Sequence, residues 1–111
     1  RFPLWLAPEQ VRVLPITDAH IAYAEAIASA LDPLRVTVED RSWTLGRKIR
    51  DAQEAKVPFM LIVGDEEEAA ETVSVRDRRE REVADLSVET VRERLQSAVS
   101  ARALELPVFE E

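Results

Sequence analysis

Hydrophobic residues run along this chain in two rhythms. "VRVLPI" (Val11 to Ile16) is apolar and β-branched, which predicts a strand ended by Pro15. "LRVTVED" (Leu34 to Asp40) alternates Val36 and Val38 against Thr37 and Glu39, the period-two pattern of a second strand. "FMLIV" (Phe59 to Val63) does not alternate at all and predicts a central strand covered on both faces. "TVSVR" (Thr72 to Arg76) alternates again, with Val73 and Val75 inward. Between these runs the spacing turns helical. Ile21, Ala24, Ala28 and Leu31 mark a first helix, capped by Thr17 or Asp18 and stopped by Pro33. Leu45, Ile49 and Ala52 mark a second, to about Ala55, and Val88, Val91, Leu95, Ala98 and Val99 a third that Ser87 caps.

The order strand, helix, strand, helix, strand, strand, helix implies crossover connections, hence an α/β fold with a mainly parallel sheet. The last hairpin adds an antiparallel edge. "RFPLWLAPEQ", with Pro3 and Pro8 around Trp5 and Leu6, reads as an extended lead-in. The expected organisation is a lead-in over 1–10 from an upstream domain, one folded domain over 11–103, and a tail over 104–111. The opening without methionine suggests a piece of something longer.

Composition narrows the function classes. The 111 residues carry net charge -7 and no cysteine, so disulfides and thiolate metal sites are excluded. No apolar run reaches the roughly 20 residues needed to span a bilayer. Charge is unevenly placed: residues 40–50 sum to +3, residues 51–71 to -6, and residues 72–83 to +1. "DRSWTLGRKIR" (Asp40 to Arg50) holds four of the fifteen basic residues and one of the two glycines. Two glycines make neither a G-x-G-x-x-G turn nor a P-loop. His20, the single histidine, reads as a solvated residue, since one histidine without partners makes neither a triad nor a metal site. "GDEEE" (Gly64 to Glu68) reads as a solvated loop rather than a cation site. A phospho-acceptor receiver would use Asp65 and Asp18 but needs a late lysine, and none follows Lys56. Nothing in the pattern argues for catalysis.

"FPLWLAPEQVRVLPI" (Phe2 to Ile16), "DRSWTLGRKIRDAQEAKVPFMLIVGDEE" (Asp40 to Glu67) and "TVSVRDRR" (Thr72 to Arg79) resemble the C-terminal anticodon-binding domain of threonyl-tRNA synthetases, class II aminoacyl-tRNA synthetases. Related domains end the histidyl, prolyl and glycyl enzymes. The resemblance covers nearly the whole chain and implies a mixed, mainly parallel five-stranded sheet with three helices. It implies that the domain grips a tRNA anticodon stem-loop, an unpaired loop whose bases can be stacked and read along their edges. It further implies an upstream catalytic domain using ATP, Mg and commonly Zn, a homodimeric parent and a cytoplasmic setting, with no membrane partner. The piece itself would catalyse nothing.

Carried over residue by residue, the resemblance makes Glu67 an acceptor for a base edge and Arg76 a bidentate donor to guanine. Arg41, Gly46, Lys48, Arg50 and Arg78 become backbone-binding or supporting positions. The family usually has Asn-Glu-Lys where Ser42, Trp43 and Thr44 stand. Ser42 keeps one hydrogen bond of the amide it replaces. Trp43 is a candidate for base stacking, with packing on the domain as the other reading. "DRREREVADL" (Asp77 to Leu86) departs from the family's glycine-containing turn. A protein-interaction module that has kept the fold and lost RNA remains the alternative, together with simple i,i+4 pairing of Lys48 and Arg50 with Asp51 or Glu54.

Overall fold

A computed structural model describes residues 3–102, 107 and 109. Five strands form one sheet in the order β2-β1-β3-β4-β5. They are β1 (Val11–Pro15), β2 (Val36–Val38), β3 (Phe59–Val63), β4 (Thr72–Asp77) and β5 (Glu82–Ser87). The helices are α1 (Ile21–Ala30), α2 (Leu45–Glu54), α3 (Asp65–Ala70) and α4 (Val88–Ser100). β1 pairs in parallel with β2 and β3, whereas β3–β4 and β4–β5 are antiparallel. The sheet is therefore evenly mixed, and a fourth helix joins the three expected.

β3 explains the layering. All five of its residues are buried, so both faces of the sheet need cover. Odd-numbered side chains (Val11, Val13, Phe59, Leu61, Val73, Val75) pack with Ala24 and Ile27 of α1 and Val91 and Leu95 of α4. Even-numbered Leu14, Met60 and Ile62 meet Ala52 of α2, with Leu45 and Ile49 at its margin. α1 and α2 thus lie on opposite faces, and α2 covers only the β1–β3 part of its face.

The helix ends follow local chemistry. Ser87 Oγ accepts from the Thr90 N–H at 3.1 Å and caps α4 as expected. The expected Thr17 or Asp18 cap of α1 does not form: a 3-10 turn over Asp18–His20 precedes that helix, and neither side chain caps it. The lead-in is not wholly extended either. Leu4–Leu6 is a 3-10 turn that buries Leu4. Buried Gln10 holds it, donating to Leu4 O and accepting from the Arg35 N–H. Phe2 lies outside the described residues, as does most of the segment expected as a tail. Phe109 is described and is buried, its ring edge-on to Phe59 at 5.6 Å.

The β4–β5 turn is tight where the sequence departs from its family. Asp77 Oδ1 accepts from the N–H groups of Arg79 and Arg81, its Oδ2 accepts from Arg81 Nε, and Glu80 takes a left-handed φ of 63°. A carboxylate organises that turn in place of glycine.

α2 closes in a Schellman arrangement: the Lys56 N–H donates to Gln53 O and the Val57 N–H to Ala52 O. Lys56 is left-handed there, with φ 60°. Because a side chain is disfavoured in that region, Lys56→Gly is expected to raise unfolding stability by roughly 1 kcal/mol. Chemical denaturation of the two proteins checks it.

Candidate nucleic-acid interface

The parallel half of the sheet leaves its loops at one end. β1 continues to α1 on one face while β2 continues to α2 on the other, so the carboxyl ends of β1 and β3 border a topological switch point, where α/β sheets bind ligands. Ile16–Asp18, Ser42–Thr44 and Gly64–Glu67 meet at that end. Gly64 is required there for space: a Cβ would stand 2.6 Å from Ile16 Cδ1.

Gly64 opens α3, so "GDEEE" is a helix start and not the solvated loop expected from its charge. The reason is local. Glu67 Oε1 accepts from the Gly64 N–H at 2.8 Å, and four carboxylates sit in the first turn, where the helix dipole favours them. The other oxygen of Glu67 accepts from Ser74 Oγ on β4 at 3.4 Å. Glu67 is thereby aimed at the even-numbered face of β4, where Ser74 is buried and Arg76, two residues on, is partly exposed.

His20 is not solvated. Only 6% of it is exposed, and its two ring nitrogens face Glu68 Oε1 at 2.9 Å and Asp65 Oδ1 at 3.0 Å. Its partners lie 45 and 48 residues onward, which is why no local spacing announced them. The hydrogen bond to Glu68 raises its pKa above 6.5 against the opposing effect of burial. Tyr23 donates from its hydroxyl to Thr72 O at 2.8 Å and Glu67 O at 3.3 Å.

The basic segment separates into anchored and free charges. Thr44 Oγ1 caps α2 by accepting from the Arg47 N–H. Lys48 is 1% exposed and donates from Nζ to Pro15 O at 2.7 Å, so its ammonium is engaged at the end of β1. Its expected pairing with Asp51 or Glu54 is absent, because Asp51 instead accepts from Arg12 Nη1 at 2.7 Å and Arg41 Nη2 at 3.1 Å. Arg41 is further tied to Glu39. Its guanidinium covers one face of Trp43 at 3.7 Å, and that of Arg47 lies 3.9 Å from the ring centre. Trp43 is therefore stacked within the domain by two cations. Ser42 Oγ donates to Asp18 Oδ2 at 2.8 Å. Gly46 is different from Gly64: a Cβ there would meet nothing within 4 Å, and its φ is not positive.

On the far side of α2, Arg76 is partly exposed and pairs with Glu80 at 3.2 Å and Glu82 at 3.6 Å, while its Nε is buried without a hydrogen-bond partner. Arg78 lies just beyond β4 and donates to Lys56 O, beside Gln53 and Met60. Among the described residues no three His, Asp or Glu side chains group as ligands for a metal ion.

Sequence comparison fixes what kind of domain this is. The pattern that defines the anticodon binding domain matches residues 10–98. The chain belongs to the anticodon-binding domain family. It is 54% identical over 105 residues to a threonine–tRNA ligase of Haloquadratum walsbyi, covering 95% of this chain and 16% of that protein. A threonine–tRNA ligase of Natronomonas pharaonis is 55% identical over 105 residues, covering 94% and 16%. The chain thus spans about one sixth of the curated relatives it matches. The RNA binding domain of threonyl-tRNA synthetase from Cryptosporidium parvum Iowa II superposes with a TM-score of 0.81 at 26% identity, over 86% of this chain and 25% of that one. Fold and family are those expected from "DRSWTLGRKIR" and "VPFMLIVGDEE".

In this anticodon-binding domain, three of the residues singled out from the sequence gather at two adjoining places. Glu67 bonds to Ser74 on the β4 face that also carries Arg76, and Ser42 joins the same end of the sheet through Asp18. Tyr23 and Ser74 had no signal as site residues, and Asp18 was weighed only as a helix cap and a receiver acid, since the partner of each is distant in sequence.

The anchored charges set the acid limit of the fold. The Arg12 hydrogen bond lowers the pKa of Asp51 below 3.8, and the Arg41 hydrogen bond lowers that of Glu39 below 4.5, despite burial acting the other way. Depressed carboxylates stabilise above their unfolded values and lose that contribution as pH falls through the folded ones. Asp51→Asn is expected to lower stability at neutral pH and to flatten its decline below about pH 4. Denaturation midpoints across the acid range read both.

Proposed function

We propose that this chain is the tRNA-anticodon module of a threonine–tRNA ligase, whose ATP-dependent ligation of threonine takes place in a separate domain of a homodimeric, cytoplasmic parent. The observation that carries the reading is the pairing of Glu67 with buried Ser74, two residues along β4 from the partly exposed Arg76. An unpaired base is accommodated at the partly exposed Arg76 end of this polar row. A carboxylate then accepts from that base's N–H edge, and a guanidinium fork donates two hydrogen bonds to guanine O6 and N7. Ser42 contributes one further hydrogen bond at the loop end. Binding energy gathered at the anticodon positions the acceptor end of the tRNA in the remote catalytic domain.

The geometry sorts the cations of this proposal. Arg47 and Arg50 are exposed and have no carboxylate partner among the described residues. They are the phosphate contacts, joined by Arg78 at the end of α2. Arg41 and Lys48 support from beneath: one props Trp43, the other ties α2 to β1. A base stacking near Trp43 meets Arg47 first, as the outer layer over the indole, and stacks on its guanidinium plane or replaces it. Gly46 gives the RNA backbone room at the first turn of α2, where free N–H groups attract phosphate.

Affinity for the anticodon stem-loop of threonine tRNA, and for a form with its anticodon guanine changed to adenine, tests the reading. Preference for guanine and a log-linear loss of affinity with salt are expected. Equal, salt-independent affinities would instead favour a protein-interaction module of the same fold. Arg76→Lys keeps the charge and loses the fork, so the guanine preference should shrink by roughly tenfold with little change in salt slope. Gly46→Ala separates fold from function. Helix propensity predicts a gain of roughly 1 kcal/mol in stability, whereas RNA affinity is expected to fall as the methyl group meets the backbone.

A further inference from the structure

Helix α3 carries Glu67, yet it is a six-residue helix with no buried side chain. Apolar packing, which positions α1, α2 and α4, does not position this one. What it does have is polar attachment to the start of α1. His20 meets Asp65 and Glu68, one turn apart on α3, and Tyr23 donates to the Glu67 carbonyl and to Thr72 O, on either side of the helix's end. His20 and Tyr23 themselves stand on a rigid base, since Ala24 and Ile27 of α1 are in the main core.

We propose that His20 and Tyr23 are positioning residues of the base-reading site: together they clamp α3 to α1 and so fix where Glu67 presents its carboxylate. The proposal rests on the reading of Glu67 as a base contact given above. A neutral imidazole has one N–H donor, but both ring nitrogens here face carboxylate oxygens, so the full clamp exists only for the imidazolium. The charged groups in contact with it are Asp65 and Glu68 from α3, which are its counter-charges. Asp18, on its own turn, is engaged by Ser42. A histidine whose pKa is raised on folding contributes fully below its unfolded value of 6.5 and loses that contribution as pH rises through the folded one. The clamp is therefore tightest in mildly acidic solution and relaxes upward.

Amide hydrogen exchange tests the clamp without RNA. The Glu68 N–H donates to Gly64 O within α3 and is the reporter, with the amides of Leu61 and Val63 in β3 as the control for global folding. In His20→Ala, exchange at Glu68 is expected to accelerate about tenfold while β3 stays protected, with a smaller effect of the same sign in Tyr23→Phe. In the unaltered chain, protection at Glu68, after allowance for the intrinsic pH dependence of exchange, should decline as His20 loses its proton, and this decline should vanish in His20→Ala. Wild-type exchange at α3 in both variants would overturn the clamp. The second arm is the guanine-to-adenine affinity ratio of the anticodon stem-loop. It should contract by roughly tenfold in His20→Ala with the salt slope retained. Accelerated α3 exchange with an unchanged ratio would overturn the link to base reading, and absence of any ratio in the unaltered chain would defeat the role of Glu67 while leaving the exchange result to judge the clamp.

Discussion

The burial of β3 on both faces is the constraint from which the rest of this domain follows. Five consecutive apolar residues, Phe59 to Val63, stand in the middle of the sheet. Leaving either side open would expose about 1.5–3 kcal/mol of burial energy per large side chain. One helix layer therefore goes to each face, and the connections that place α1 and α2 on opposite sides also make the carboxyl ends of β1 and β3 diverge. On β4 the even-numbered face turns polar: Ser74 is buried and bonded to Glu67, and Arg76 is partly exposed. The region proposed to read bases adjoins the core where apolar side chains give way to polar ones.

Charge in this acidic domain is mostly spent internally. Arg12, Arg41, Arg76 and Arg81 each pair with carboxylates, and buried Lys48 is consumed by a backbone carbonyl. Few of these pairs contribute much individually at an exposed surface. Their effect is to hold loops in place: Asp77 folds the β4–β5 turn, and Asp51 draws Arg12 and Arg41 onto the side of α2. With a net charge of -7, the chain does not attract phosphate over its whole surface. In the proposed function, affinity for RNA therefore comes from a few exposed cations such as Arg47 and Arg50, and selectivity from the edges of individual bases.

The polar scaffolding at the loop end has a different logic from the core. α1, α2 and α4 are placed by apolar stripes and would tolerate many surface changes. α3 has no buried side chain and is attached by hydrogen bonds to His20, on the 3-10 turn before α1, and to Tyr23 of α1; under the proposal its position depends on the protonation and presence of those groups. A short helix held in this way occupies the low-stability end of a fold, where elements that adjust to ligands are found.

The sequence by itself determined the layered plan. Alternation at Val36 and Val38, an unbroken run at Phe59 to Val63 and helical spacing at Leu45, Ile49 and Ala52 record local burial, and local burial is written in neighbouring residues. The Ser87 cap was legible for the same reason, since a cap bonds three residues away. The "GxKIR" and "VPFMLIVGD" stretches carried the family. What only the tertiary structure decided is pairing between distant segments. His20 read as solvated until α3 brought Asp65 and Glu68 to it, Lys48 read as a surface cation until α2 turned it toward Pro15, and Trp43 was open between base stacking and packing on the domain until Arg41 and Arg47 were found against its ring. Charged and aromatic side chains are long and take their partners from whatever the fold brings within hydrogen-bonding reach. No periodicity in one dimension encodes that.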